Sequence, residues 1–375
     1  MNPALAIAGV VPAATLEPRN RSELTAIVRE LHAAGKTFAF VGGGTELELG
    51  NPPRALDAVV SMTALNRILE YSPEDQTVTV EAGVRLATLD AALAEHGQML
   101  PIDTGDRAHA TVGGAIATNA FGARRHRYGS IKDLIVGIEI VRPDGVTAHG
   151  GGKVVKNVAG FDLPKLMVGS LGTLAGIASA TFRVFPQPAL TQTALVHAAP
   201  DGALLRAVAA DRALEPVAVV HYPVLDGIAF TFGGSAAAVA AQLERLAAHG
   251  APVEILDAAA VERCAALEAA VRTSGEWRWT SRHNAATSTR SVALALEVGY
   301  PTLGVLLGSA DDGAPLDALI EARGSSLVFR AMPARARARV DAWGTPPPSF
   351  PLMRALKANF DPQGLCNPGR YVGGL

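Results

Sequence analysis

Charge is scarce in this 375-residue chain. Charged residues make up 18% of it, against roughly 25% in ordinary soluble domains, which favours life inside a complex over life as a free monomer. The two signs nearly cancel, leaving a formal net charge of -2, so nothing in the balance calls for nucleic acid or an anionic membrane. Cysteine is scarcer still. Cys264 and Cys366 are the only two, far apart, which excludes a disulfide framework and matches no zinc or iron–sulfur spacing. A reduced, intracellular protein without a cluster of its own is expected. No segment of about eighteen apolar residues runs free of charges and turn formers, and Ala4 to Val11 is short and lacks a basic flank. A soluble chain, peripheral only through a partner, is the expectation. Nothing resembles the G-x-S-x-G nucleophile elbow. The run Arg124-Arg125-His126-Arg127 is short and flanked by glycines, and it reads as a solvated loop.

What is present is apolar residue and glycine. Hydrophobic residues reach 49%, enough for a large interior, and the length argues for two domains. The first clear element is a helix opened by Asn20 and Glu23 as a capping box, with Leu24, Ile27, Val28 and Leu31 on one face and Gly35 at its end. Strands are expected over Thr37 to Val41, Ala58 to Ser61 and Thr77 to Ala82, followed by a helix carrying Leu86, Leu89 and Leu93 and closed by Gly97. Ile135 to Val141 reads as a buried strand, and Pro143-Asp144-Gly145 as a hairpin turn. Ala175 to Phe185 is a further strand stopped by Pro186 and Pro188, and the domain boundary is placed there. Beyond it, helices (Ala203 to Ala213, Ala236 to His249, Leu316 to Arg323) alternate with strands. Those strands are Val217 to Tyr222, Ile228 to Phe232, Val253 to Leu256, Thr302 to Leu307 and Ser326 to Arg330. This alternation suggests an α+β domain of ferredoxin-like character, and no repeat of fixed period is evident. After Pro346-Pro347-Pro348, a final helix over Leu352 to Asn359 leads into Asp361-Pro362-Gln363-Gly364 and Asn367-Pro368-Gly369-Arg370.

Three glycine-rich segments carry chemistry. Gly42-Gly43-Gly44-Thr45 follows a strand, where residues without Cβ can take positive φ and let backbone N–H groups converge on a diphosphate. Leu47 breaks the G-x-G-x-x-G dinucleotide pattern, and no lysine completes a P-loop. Thr111 to Asn119 combines Gly113, Gly114 and Ala117 with the hydroxyls of Thr111 and Thr118, so backbone can approach a flat ligand closely. Gly169 to Ile177, with Gly172, passes straight into a strand. Read singly, each segment is also a tight glycine turn or a small-residue helix start. Lys156-Asn157-Val158-Ala159-Gly160-Phe161-Asp162 has no evident catalytic logic.

Taken in order, these segments resemble the FAD domain of the vanillyl-alcohol oxidase and p-cresol methylhydroxylase (PCMH) superfamily, over Pro18 to Pro186 and again in the tail. Within it they look like the FAD-binding E subunit of bacterial glycolate oxidase. The marks are Ala110 to Gly114, Gly122 to Arg125, Lys156 to Asp162, Gly169 to Leu174 and the Phe360 to Arg370 tail. The implied fold is α+β: a two-subdomain PCMH-type FAD-binding domain over 1–187, a smaller ferredoxin-like cap over 188–345, and a segment over 346–375 returning to the first domain. The implied cofactor is FAD. Gly42, Gly43, Gly44 and Thr45 would hold its pyrophosphate, Thr111, Gly113, Gly114 and Ala117 would line the flavin, and Gly172 and Ile177 would add close contacts. Thr45 stands where covalently flavinylated relatives carry histidine, which implies dissociable FAD. The implied function is a subunit of a glycolate or other 2-hydroxy-acid oxidase, partnered by a second FAD-binding catalytic subunit and an iron–sulfur subunit. That implies a cytoplasmic location, at the inner membrane only through the complex.

Self-sufficient relatives carry a His-x-His metal pair. The histidines here, at 32, 96, 109, 126, 149, 197, 221, 249 and 283, never stand two apart. Leu171 also stands where catalytic subunits show glutamate. No metal site and no catalytic base are therefore assigned. Arg282, His283 and Arg330 are candidates for holding an acid, with surface or ion-pair roles as the plainer reading. A self-sufficient D-lactate-type dehydrogenase and a cofactor-free assembly subunit remain the alternatives.

Overall fold

The computed structural model describes residues 5–152, 162–197, 203–250, 252–273, 275, 277–282, 296–303, 305–310, 327–337 and 340–375. The expected Leu316 to Arg323 helix, the motif from Lys156 to Phe161, and His283 lie outside these residues.

The chain divides into two compact units. The first comprises residues 1–120, 130–186 and 332–375; the second comprises 121–129 and 187–331. The division departs from the expected 1–187, 188–345 and 346–375 in two places. Residues 332–345 belong to the first unit, where Asn51 Nδ2 donates to Asp341 and Trp343 Nε1 donates to the Arg370 carbonyl. Residues 121–129 belong to the second unit, because Phe121 and Ala123 pack into its core.

In the first unit, strands β1 (Ala14–Leu16), β2 (Phe38–Val41) and β3 (Ala58–Ser61) form a parallel sheet in the order β1-β3-β2. Helix α1 (Arg21–Ala33) starts where the sequence placed it: Asn20 accepts from the Glu23 amide, and the Glu23 carboxylate accepts from the Arg19 amide. Its buried face, Leu24 and Val28, packs with Phe38, Val60 and Cys366. Ala39 and Val41 turn to the other face of β2 and pack with Ile7, Leu56 and Val59, the period of two expected of a strand covered on both sides.

Strands β4 (Ile68–Ser72), β5 (Thr77–Glu81), β7 (Ile135–Val141), β8 (Thr147–Gly151) and β9 (Gly176–Arg183) form an antiparallel sheet in the order β4-β5-β9-β7-β8. Between them in sequence, β6 (Gln98–Met99) pairs with β10 (Phe185–Pro186). Helices α2 (Leu86–Ala94) and α3 (Val112–Thr118) cover the five-stranded sheet through Leu86, Leu89, Leu93, Val112 and Ile116, all essentially inaccessible. This core of branched side chains holds the turns at the strand ends in place.

Among the described residues the second unit is built on one eight-stranded antiparallel sheet. It contains β11 (Leu190–Val196), β12 (Ala218–Tyr222), β13 (Gly227–Gly234), β14 (Val253–Ile255), β15 (Trp277–Arg282), β16 (Leu296–Tyr300), β17 (Val305–Ala310) and β18 (Leu327–Ala331). Their order is β14-β11-β13-β12-β16-β17-β15-β18. Strands β11 to β14, with helix α4 (Ala203–Ala210) after the first and α5 (Ala236–Ala247) after the third, are the ferredoxin-like β-α-β-β-α-β unit in its 4-1-3-2 order. Strands β15 to β18 repeat that order, so the sheet is a duplication joined where His221 of β12 pairs Gly299 of β16. The repeat has no fixed sequence period because the connecting segments differ in length. Over β11 to β13 both faces are covered. Val196, Phe230 and Phe232 face α4 and α5, whereas Leu195, Val220 and Tyr222 face helix α6 (Ala258–Thr273) and Phe121.

The sequence reading passed over α6, β15 and β16, and it started β17 too early: Pro301–Leu303 is a 3-10 turn before the strand. The basic run is not a solvated loop. Arg125–Tyr128 is a helical turn, His126 is more than half buried and burial lowers its pKa, and Arg127 pairs with Glu215 at 2.8 Å.

Candidate functional site

Within the first unit a cleft opens at the ends of β2, β5 and β9. Gly42, Thr111, Gly113, Gly114, Ala117, Gly172 and Ile177 line it together with Phe40, Met62, Ala82 and Ala175. Three segments separated by up to about 135 residues of sequence thus meet at one cavity. Gly43, Gly44 and Thr45 are outside this lining and continue the loop that Gly42 begins. The four added residues are apolar strand-end positions whose types carry no signal of a site in the sequence.

Each glycine of the first loop is required for a different reason. Only Gly44 has a positive φ, +75°. Gly42 and Gly43 are required by contact: a Cβ on Gly42 would lie 2.1 Å from Thr111 Oγ1, and one on Gly43 would lie 1.7 Å from the His109 carbonyl oxygen. The expectation that all three exist to allow positive φ is corrected accordingly. A Cβ on Gly113 would lie 2.7 Å from Ala82 Cβ, so α3 is seated directly on the end of β5.

Thr111 ties these parts together. As N-cap of α3 its Oγ1 accepts from the Gly114 amide at 3.3 Å, and it also accepts from the Gly43 amide at 3.3 Å. Among the described residues the amides of Gly42, Gly44 and Thr45 donate to no protein acceptor. Backbone donors left open beside a cavity without side chains in the way fit an anionic group with a flat appendage.

The third segment is held by the tail. Helix α7 (Phe350–Phe360) carries Lys357, whose buried ammonium donates to the Thr173 carbonyl (2.7 Å), Asp361 Oδ2 (2.6 Å) and the Cys366 carbonyl (2.8 Å), using all three protons. Asn367 Nδ2 donates to the Leu171 carbonyl at 2.6 Å, and Cys366 Sγ donates to the Gly172 carbonyl at 3.1 Å. Burial pushes the Cys366 thiol up to about 12, so it stays a protonated donor. Leu171 has φ +51° and Gly172 φ +64°. A leucine in that region costs on the order of 1–3 kcal/mol and persists only where surrounding contacts over-determine it. Farther along, Arg370 reaches the carbonyls of Leu47 (3.1 Å), Leu49 (2.5 Å) and Asn51 (2.7 Å). Burial, and then neighbouring Arg337, lower its pKa to about 9. The tail also pairs with β2, the Phe38 amide donating to the Leu365 carbonyl and the Asn367 amide to the Phe38 carbonyl.

A family model described as "FAD binding domain" matches residues 12–151. Residues 12–151 are an FAD-binding domain. FAD is the cofactor, and the open amides, the side-chain-free wall and the apolar floor of the cleft fit it. The fold around this domain is the α+β PCMH type, as the sequence led one to expect. It is shared with a solved alkyldihydroxyacetonephosphate synthase at a TM-score of 0.66 and 17% identity, over 94% of this chain and 75% of that one. The D-lactate dehydrogenase of Archaeoglobus fulgidus is 39% identical over 172 residues, which are 46% of this chain and 38% of that protein. The glycolate oxidase subunit GlcE of Escherichia coli K12 is 36% identical over 148 residues, 39% of this chain and 42% of that protein. The likeness therefore spans less than half the length of each of these relatives.

Of the candidate acid-binding residues, His283 lies outside the described residues and the other two belong to the second unit. Arg330 lies on β18 of the second unit and Arg282 ends β15.

Proposed function

We propose that this chain is an FAD-carrying subunit of a 2-hydroxy-acid oxidoreductase, acting on glycolate beside a second flavin subunit and an iron–sulfur subunit. The observation that carries the flavin part is the convergence of Gly42, Thr111, Gly113, Gly114, Ala117, Gly172 and Ile177 on one cleft. In this reading the Gly42, Gly44 and Thr45 amides hold the pyrophosphate, while the Gly43 amide is spent on Thr111. Thr111 keeps that loop against α3, and Gly113, Gly114 and Ala117 would leave room for the flavin. FAD is bound without a covalent link, since Thr45 offers no imidazole for attachment. When bound, the flavin supplies the hydride acceptor for the substrate Cα–H. The chain's own contribution is to bind, orient and exclude water.

The subunit reading draws on the likeness to GlcE and on the lack of any His-x-His pair. The likeness to a D-lactate dehydrogenase supports the competing reading, a self-sufficient enzyme. Purified chain should be yellow, with the flavin released by acid precipitation. Co-expression with its chromosomal neighbours should yield a complex that reduces an artificial acceptor with glycolate, while the chain alone does not. Turnover of D-lactate or glycolate by the single chain would establish the self-sufficient reading. A preparation that stays colourless after incubation with FAD would leave only a cofactor-free assembly role. The location proposed is cytoplasmic, reaching the inner membrane only through the partner subunits.

A further inference from the structure

The tail does more than close the first unit. Three consecutive carbonyls of the third loop, Leu171, Gly172 and Thr173, each accept from a different tail side chain: Asn367, Cys366 and Lys357. Gly172 lines the flavin cleft, and its amide donates to no protein acceptor among the described residues. A peptide whose carbonyl is pinned on one side must present its neighbouring amides on the other. The loop has a turn of its own, the Thr173 amide donating to the Ser170 carbonyl, and the Gly169 and Leu171 amides tie it to α3, but Leu171 sits at positive φ and none of these bonds engages the three carbonyls. The side chains that hold it come from nearly two hundred residues farther along the chain.

We propose that Lys357, Cys366 and Asn367 are positioning residues for the flavin: by taking up the loop carbonyls they turn the Gly172 backbone toward the cofactor. The proposal rests on the cleft being the flavin site. Cys366 and Asn367 are the informative members, since each makes one side-chain bond to the loop, whereas Lys357 also neutralises Asp361. Coupling between two sites is reciprocal, so if the tail orders the loop for FAD, then FAD must order the tail.

The first test uses the unmodified 375-residue chain. Stripped and FAD-reconstituted protein are exposed to iodoacetamide, and the peptides carrying Cys366 and Cys264 are quantified separately. Cys264, buried in the second unit, serves as the internal control. We expect FAD to slow alkylation of Cys366 at least about tenfold and that of Cys264 by less than about threefold. Equal protection of both, or of neither, overturns the proposal. A second test measures FAD dissociation constants. Asn367→Gly keeps the φ of +48° accessible and removes the amide donor, and Cys366→Ala removes the thiol. Each should weaken FAD about 5- to 20-fold, with little change in the melting temperature of the stripped protein. Cys366→Ser, which restores a donor, should return affinity to within about threefold of wild type. Wild-type affinity in both Asn367→Gly and Cys366→Ala refutes the positioning role while the flavin site stands. If the unmodified chain takes up no FAD, the flavin-site reading itself has failed.

Discussion

The cleft of the first unit and the core of the second solve the problem of burial in opposite ways. At the cleft, backbone is packed without side chains: Gly42, Gly43 and Gly113 sit where any Cβ would collide within 3 Å. In the second, side chains do the filling, with Phe230, Phe232 and Tyr300 fully enclosed between sheet and helices. A cofactor site needs the first arrangement, because donors can converge on a ligand only where side chains are missing. A packed sheet needs the second. The contrast also says where a substitution should cost binding and where it should cost stability.

The largest effect expected is on stability, in the second unit. Phe230→Ala should lower the unfolding free energy by about 3–5 kcal/mol in denaturant titration, through lost transfer energy and a cavity, while flavin absorbance per folded molecule stays unchanged. Loss of flavin below the unfolding transition would blur the distinction between the units. Gly43→Val comes next. Its Cβ has nowhere to go but into the His109 carbonyl, and overpacking of this kind costs about 1–3 kcal/mol or more. Flavin content should fall to background, and full retention would remove the pyrophosphate loop from the site. Ala117→Leu is the sharper probe, because Ala117 lines the cleft and is half-exposed there. The stripped protein should melt as wild type, but FAD should bind at least about tenfold more weakly, near 1.4 kcal/mol.

The smallest effect is a pH dependence confined to the second unit. Asp211 is held down to about 2, first by its hydrogen bond from Arg245, helped by the Ala213 amide and His249. A carboxylate whose folded pKa is depressed stabilises fully above its unfolded value, 3.8, and loses that contribution as pH falls from about 4 to about 2. Asp211→Asn should flatten the loss of thermal stability across that interval, as read by circular dichroism at pH 5, 4, 3 and 2.

Legibility followed the same divide. The N-cap at Asn20, the strand Ala58–Ser61 and the glycine loops could be read directly, since each has a local cause written in adjacent residues, although the Glu23 carboxylate reaches the Arg19 amide rather than closing a capping box on Asn20. Helix α6 could not: Cys264 and Val271 are its only fully buried residues, so no apolar stripe marks it. Phe40, Met62, Ala82 and Ala175 carry no such signal for another reason, since an apolar residue at a strand end looks the same whether it faces core or cleft. The tail motif was conspicuous as a pattern, yet that Cys366 serves Gly172 is a relation between distant positions and needs coordinates.

Among the described residues, two copies of one strand order meet in the second unit at a single matched pair, His221 with Gly299, where His221 Cβ lies 3.4 Å and its imidazole Nδ1 3.5 Å from the place a Cβ on Gly299 would occupy. What couples the halves is side chain rather than ladder: Tyr222 and Tyr300 both donate to Glu268 of α6, and Val220, Val298 and Leu307 share one core. Amide exchange in native conditions should therefore show β11 to β14 and β16 to β17 opening together. A larger residue at 299 should begin to separate them.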